Sequence, residues 1–334
     1  MAMLYGKGVW LLYSANVDLA IEMAVEIGAT RVLYKTGHRA MFFPETARRV
    51  HDRVRAAGLT PFAWSLIFCD DPEGEARVAL KTAEVGYEGI VFDIEDQAAG
   101  QQANATELGQ RLLDAGLNPD MLYYTSFPNI TQHFGIPYAE MNAFCKGGFM
   151  PQSYPTFLKP AEVVIHKMTY DEHAKWSEIW GYSPPIYPIL AGYRDEQGTD
   201  RLTPEEFIPW ANALAEHNPT FFSFYRAAVT NRDLWPILAA LAVPQPPEPE
   251  SPVEKPTGPS EPALLKTAAS AFSLEAVEQP VYVTVQPDDT IWMLCQKHGC
   301  TRAQFWEWNW HLWDERGLPR DANYLQAGWR VRIG

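Results

Sequence analysis

Short apolar runs rich in β-branched and aromatic residues alternate, along the first 243 positions, with longer stretches whose apolar residues recur at helical spacing. The pattern predicts strands over 8–13, 31–35, 61–68, 89–95, 121–125, 148–152, 186–190 and 220–225. Between them it predicts helices over 18–27, 45–57, 74–85, 106–115, 169–180, 204–217 and 233–242. Gly58, Gly86 and Gly116 each follow a predicted helix, where a left-handed residue closes the last turn. The stretch between 125 and 148 is longer and less regular, and no helix is assigned to it.

Eight strand-then-helix units in about 240 residues is the size and order of a (β/α)8 TIM barrel. An open doubly wound sheet is the competitor, but it needs a glycine-rich first βα turn, and no G-x-G-x-x-G occurs. The chain is therefore expected to be α/β, with a barrel over 1–243. Composition then changes abruptly. Eight prolines from Pro244 to Pro262 alternate with Glu, Ser, Lys and Thr. Such a segment favours extended backbone and buries little, so 244–280 is expected to be a tether. The tail, 281–334, is rich in tryptophan and reads as strand 281–285, helices 290–297 and 302–308, and strand 329–333, a small β-α-α-β unit.

At 334 residues two domains are expected, and 47% hydrophobic content suffices for a large core. The formal charge of −14 argues against nucleic acid and anionic membranes as partners, so a substrate should be neutral or held in a locally shaped site. No apolar run reaches the ~18 residues a membrane span needs. No charged leader precedes an apolar run, so no signal peptide is read and a cytoplasmic site of synthesis is expected. Cys69, Cys145, Cys295 and Cys300 match no zinc spacing; they are expected as free thiols, with a Cys295–Cys300 bridge left open. His38 has no second histidine at ligand spacing, so neither metal nor cofactor is expected.

Chemistry concentrates at the end of the fourth strand, in Asp93-Ile94-Glu95-Asp96. Residues two apart on a strand face the same side, roughly 6 to 7 Å apart along the chain, so Asp93 and Glu95 both point into the barrel mouth. Two carboxylates so close push their pKa values apart, and one can then hold a proton near neutral pH. That suits glycoside hydrolysis, where a carboxylic acid protonates the leaving oxygen. Other strand ends supply Lys35 and His38, Asp70 and Asp71, Tyr124, Gln152 and Tyr154, Tyr193-Arg194-Asp195, and Tyr225-Arg226. Aromatic faces of this kind stack on sugar rings.

Glu88-Gly-Ile-Val-Phe-Asp-Ile-Glu95 resembles the D-G-x-D-x-D-x-E strand of family 18 chitinases, with Glu88 and Val91 standing where that pattern has Asp. It is also similar to the D-x-E strand of family 25 muramidases. The resemblance implies Glu95 as general acid and Asp93 as the carboxylate that orients substrate or tunes it. Met150-Pro-Gln152-Ser-Tyr154 resembles the sugar-lining end of strand six in such barrels, with Gln152 and Tyr154 in the subsite. Tyr282-Val-Thr-Val-Gln-Pro-Asp-Asp-Thr-Ile-Trp292 resembles the opening of LysM modules, Asn309 the Asn after their second helix, and 325–333 their closing strand. Asp288 replaces a usual Gly and 310–321 is longer than usual, as in LysM-like domains beside phage-tail proteins.

Together these readings imply a glycosidase acting on β-1,4-linked N-acetylhexosamine polymers, peptidoglycan or chitin, at a bacterial cell envelope or outside the cell. Catalysis is expected from Glu95 and Asp93, with Gln152, Tyr154, Tyr124, Tyr193, Arg194 and Tyr225 binding substrate. The alternative is a non-catalytic glycan-binding or adaptor protein within a larger assembly.

Overall fold

The computed structural model describes residues 3–195, 197–246, 281–286, 291–300, 304, 305, 308, 309 and 328–333. The chain divides into two compact units, 1–246 and 247–334.

In the first unit eight parallel strands form a barrel: β1 (Gly6–Leu11), β2 (Arg31–His38), β4 (Thr60–Ile67), β5 (Gly89–Ile94), β6 (Leu122–Ser126), β7 (Gly148–Pro151), β8 (Ile189–Ala191) and β9 (Phe221–Tyr225). Each pairs in parallel with its neighbour, and β9 returns to β1. The remaining seam joins β7 to the stretch before β8 through the bridge Phe149–Ile186, and the residue after β7 to the start of β8 through Gln152–Ile189. Pro188 has no N–H to give a ladder, which explains why the predicted strand 186–190 appears as single bridges before β8. A two-residue strand β3 (Met41–Phe42) folds back on β2 as a hairpin that the sequence pattern did not suggest.

The helices pack outside: α1 (Val17–Glu26), α2 (Pro44–Ala56), α3 (Pro72–Val85), α4 (Gln102–Asp114), α5 (Tyr138–Phe144), α6 (Glu172–Trp180), α7 (Pro204–Glu216) and α8 (Trp235–Ala240). The irregular stretch after the fifth barrel strand thus holds α5. A nine-residue π-helix, Val163–Asp171, leads into α6, and Thr169 Oγ1 bonds the Val164 carbonyl five residues back at 2.8 Å. Thr203 and Glu206 cap α7 reciprocally, and Asp71 caps α3 by accepting from the Gly74 N–H at 2.9 Å.

Two cores follow from strand alternation. Outward residues such as Val9, Leu11, Val32, Tyr34, Ala63 and Phe224 meet the helices. Inward residues fill the barrel: Leu33, Phe62, Val91, Tyr123, Met150, Tyr187, Ile189 and Phe221, with Trp10 and Trp64 above them. Gly8 is a necessary gap in this layer, since a Cβ there would lie 2.7 Å from Leu33 Cδ1 and 2.9 Å from Phe221 Cζ. At the barrel's lower end Lys7 is buried, its ammonium donating to the carbonyls of Ile27 (3.1 Å), Leu238 (2.7 Å) and Ala239 (2.9 Å). It thereby serves the C-terminal ends of α1 and α8, where helix carbonyls lack partners.

In the second unit β10 (Tyr282–Thr284) pairs antiparallel with β11 (Arg330–Arg332), and α9 (Ile291–His298) packs on them through Ile291, Leu294 and Cys295. Asn309 is buried; its amide donates to the carbonyls of Phe305 and Arg332, and its oxygen accepts from the Arg332 N–H at 2.7 Å. All four cysteines are free and buried. Most of the predicted second helix, 302–308, lies outside the described residues, as do 247–280 and Trp306, Trp310 and Trp313. Among the described residues no helix is long and apolar enough to cross a membrane.

Candidate active site

β5 carries the carboxylates because its alternation is strict. Ile90, Phe92 and Ile94 are buried on the helix side, whereas Val91, Asp93 and Glu95 share the inward parity. Val91 is covered by the layer above; Asp93 is buried and Glu95, one step nearer the opening, is partly exposed. Gln152, at the end of β7, is itself buried and joins them: its amide nitrogen donates to Asp93 Oδ1 at 3.0 Å and to Glu95 Oε1 at 3.1 Å. Both amide hydrogens are thereby used on one carboxylate pair.

Burial pushes the Asp93 carboxyl well above the usual carboxylate range, and the charge of Glu95 pushes it further. The nearby Lys35 cation and the Gln152 donor oppose that rise without cancelling it. The group disposed to hold a proton at rest is therefore the deeper Asp93. Lys35, inward on β2 next to Trp64 in register, lies over the indole at 4.9 Å from its centroid. Burial lowers its pKa, and the two carboxylates raise it.

The walls beside the carboxylates are aromatic. Tyr154 and Tyr225 stack with centroids 5.8 Å apart and planes at 16°. Tyr225 also meets Trp10 edge-on at 6.0 Å, Trp64 at 6.3 Å and Tyr193 at 6.4 Å. Trp10 is held by a bond from its Nε1 to Ser223 Oγ at 2.8 Å, and Trp64 by one to the Leu11 carbonyl at 3.2 Å. Arg226 follows β9, its guanidinium 5.7 Å from the Tyr225 ring centroid and its Nε buried without a partner.

Of the residues expected from sequence, the fold brings together Asp93, Glu95, Gln152, Tyr154, Tyr225 and Tyr193. It does not bring in Tyr124. That ring has the opposite parity on β6, is fully buried, stacks on Phe149 at 4.7 Å and donates to Asn142 on α5 at 2.8 Å. Arg194 is engaged with Asp200 at 3.2 Å and Glu206 at 2.7 Å, which ties its loop to α7. Asp195 organises that loop by accepting from Thr199 and Asp200. Asp70 pairs with Arg39, and His38 packs edge-on against Phe68.

Three contributors escaped the sequence reading: Trp10, Trp64 and Thr125. Strand parity was the available sign, since each lies an even number of residues from an inward neighbour on its strand. Thr125 stands opposite Asp93 in register, and its hydroxyl is buried without a partner. Among the described residues no group of three or more His, Cys, Asp or Glu gathers as a metal ion would require.

Residues 283–334 match the LysM domain family. No curated protein sequence matches the chain. Among solved structures the barrel is similar to a chitinase from Chromobacterium violaceum, at 12% identity and TM-score 0.52, over 70% of this chain and 98% of that one. It is also similar to active domain 2 of the thermostable chitinase from Pyrococcus furiosus, at 14% identity and TM-score 0.52, over 72% of this chain and 94% of that one. At such identities the likeness is one of fold: a TIM barrel of the kind found in glycoside hydrolases, followed here by a LysM domain.

Proposed function

We propose that the barrel is a glycoside hydrolase for N-acetylhexosamine polymers, brought to its substrate by the LysM domain. The observation that carries this reading is the Asp93–Glu95 pair bridged by one Gln152 amide on the floor of an aromatic-walled mouth. A buried carboxylate pair holds one proton more readily than two charges. Glu95, the member nearer solvent, takes up the proton that the pair holds on Asp93 at rest and delivers it to the glycosidic oxygen as the bond to the leaving sugar breaks; water then adds to the sugar cation and returns a proton to the pair. Asp93 and Gln152 fix Glu95 and balance the charge left on it, and the oxocarbenium-like sugar is stabilised by the neighbouring carboxylate. Tyr154 and Tyr225, both partly exposed, offer ring faces and edges to the sugar, with the buried Trp10 and Trp64 packed against Tyr225 in support.

The likeness to chitinases and the LysM match support a glycan as ligand, and place of action at a cell envelope or outside the cell follows from such a ligand. The proline-rich 244–280 serves as a tether that raises the local concentration of barrel on polymer. Incubation of the native chain and Glu95→Gln with purified peptidoglycan and chitin oligomers, followed by mass spectrometry of released fragments, tests the reading. Fragments from the native chain alone are expected. Polymer binding without release by the native chain would instead mark a glycan-binding barrel.

A further inference from the structure

The chain carries a formal charge of −14, yet the cations at the barrel mouth are not spent on ion pairs. Several arginines elsewhere on the barrel surface have a carboxylate: Arg39 has Asp70, Arg55 has Glu88, Arg194 has Asp200 and Glu206, and Arg232 has Glu22; among the described residues Arg48 and Arg77 form no ion pair but are solvent-exposed. Lys35 and Arg226 differ. Among the described residues neither forms an ion pair; Lys35 rests over the Trp64 ring, and Arg226 lies beside Tyr225 with Nε buried and unpartnered.

Holding Lys35 half-buried over an indole costs it hydration, and the two carboxylates stand beyond ion-pair contact with it. If its task were only to neutralise Asp93 and Glu95, direct contact would serve better, and Gln152 already bonds one oxygen of each. A neutral polymer filling the mouth would leave both cations with no counter-charge in direct contact, Asp93 and Glu95 acting on Lys35 only from a distance. A sugar bearing an acidic substituent would supply one.

We infer that Lys35, assisted by Arg226, is a specificity-determining residue that selects an aminosugar unit carrying a carboxylate over its neutral counterpart. Within the glycans proposed above, this is the difference between peptide-free N-acetylmuramic acid, whose lactyl carboxylate is not amide-linked to a stem peptide, and N-acetylglucosamine or peptide-substituted muramic acid. The inference rests on the reading of the barrel as a glycan site, but not on turnover.

Binding can be measured by calorimetry on the full chain carrying Glu95→Gln, which removes hydrolysis. Three tetrasaccharides serve as probes: chitotetraose, the alternating N-acetylglucosamine–N-acetylmuramic acid tetrasaccharide, and the latter with its lactyl carboxylates methyl-esterified. The acid should bind more tightly than the ester and chitotetraose by roughly ten-fold, the scale of one charge-assisted contact. Lys35→Gln in the same background should collapse that ratio, and Lys35→Arg should restore most of it. The LysM domain is common to every variant, so a change in the ratio belongs to the barrel. Circular dichroism and the retained response of Lys35→Arg separate lost charge from lost fold. Equal affinity for acid and ester, or a preference that survives Lys35→Gln, would overturn the inference. Native hydrolysis of chitotetraose together with such a result would leave the hydrolase reading standing. A charge preference without hydrolysis of either oligomer would do the reverse.

Discussion

Replacing Glu75 by Gln should change how barrel stability depends on pH. Glu75 is only 1% exposed; its Oε1 accepts from the N–H groups of Phe68 (2.8 Å) and Cys69 (3.1 Å), while Oε2 is buried with no partner. It thus holds the loop after β4 against the start of α3. Burial pushes this carboxyl up to about 7; the backbone donors oppose the rise and Asp70 and Asp71 add to it. In an unfolded chain the same group titrates near ~4.3. Between those values the folded protein keeps a proton that the unfolded chain has released. Stability from this group is therefore full below about pH 4.3 and is lost as pH rises through about 7. The gap between about 7 and ~4.3 corresponds to roughly 3 to 4 kcal/mol at most. Gln keeps the acceptor that both N–H groups need and has nothing to titrate. Its new N–H2 adds an offset that is constant with pH, and the other titrating groups cancel in the difference. Urea unfolding followed by far-UV circular dichroism at intervals from pH 4.5 to 7.5 gives the comparison. The stability of the variant relative to native should rise by about 2 to 3 kcal/mol across that range. Parallel stability profiles would refute the reasoning.

Two further substitutions test the packing account. Lys7→Met leaves three carbonyls without their shared donor and should cost about 2 to 4 kcal/mol in unfolding free energy, read from the urea midpoint; an unchanged midpoint would contradict the role given to the ammonium. Gly8→Ala drives a methyl against Leu33 and Phe221 in the filled barrel and should cost about 1 to 3 kcal/mol in the same assay; a stabilised variant would show that the inner layer has room to move.

Much of this fold is legible in the sequence, because each barrel strand is an apolar run buried on both faces and most helices are long enough to show their period. Elements that escape are short or irregular. The seven residues of α5 span too few turns to establish a period, β3 is two residues long, and the π-helix keeps a spacing that helical counting does not anticipate. Asp93, Glu95 and Gln152 stand out because carboxylates and an amide interrupt strand ends that are otherwise apolar. Trp10 and Trp64 do not, since an indole on a strand reads as ordinary core until inward parity is tracked around the barrel. Tyr124 shows the converse: position at a strand end nominated it, and parity turns it toward α5. Arg194 is a candidate ligand-binding cation in the sequence because its partners, Asp200 on the same loop and Glu206 on α7, are brought to it by a loop course that only the fold reveals.

The proposed role of Glu95 as proton donor can be probed most directly with leaving groups of different basicity. Hydrolysis rates of native and Glu95→Gln chains would be measured on N-acetylhexosamine oligomers and on the matching 2,4-dinitrophenyl glycosides, whose departure needs no acid. The account predicts that the variant loses about 10²- to 10⁴-fold on the natural oligomer and far less on the dinitrophenyl glycoside. Equal losses on both substrates, or no hydrolysis of either by the native chain, would contradict it.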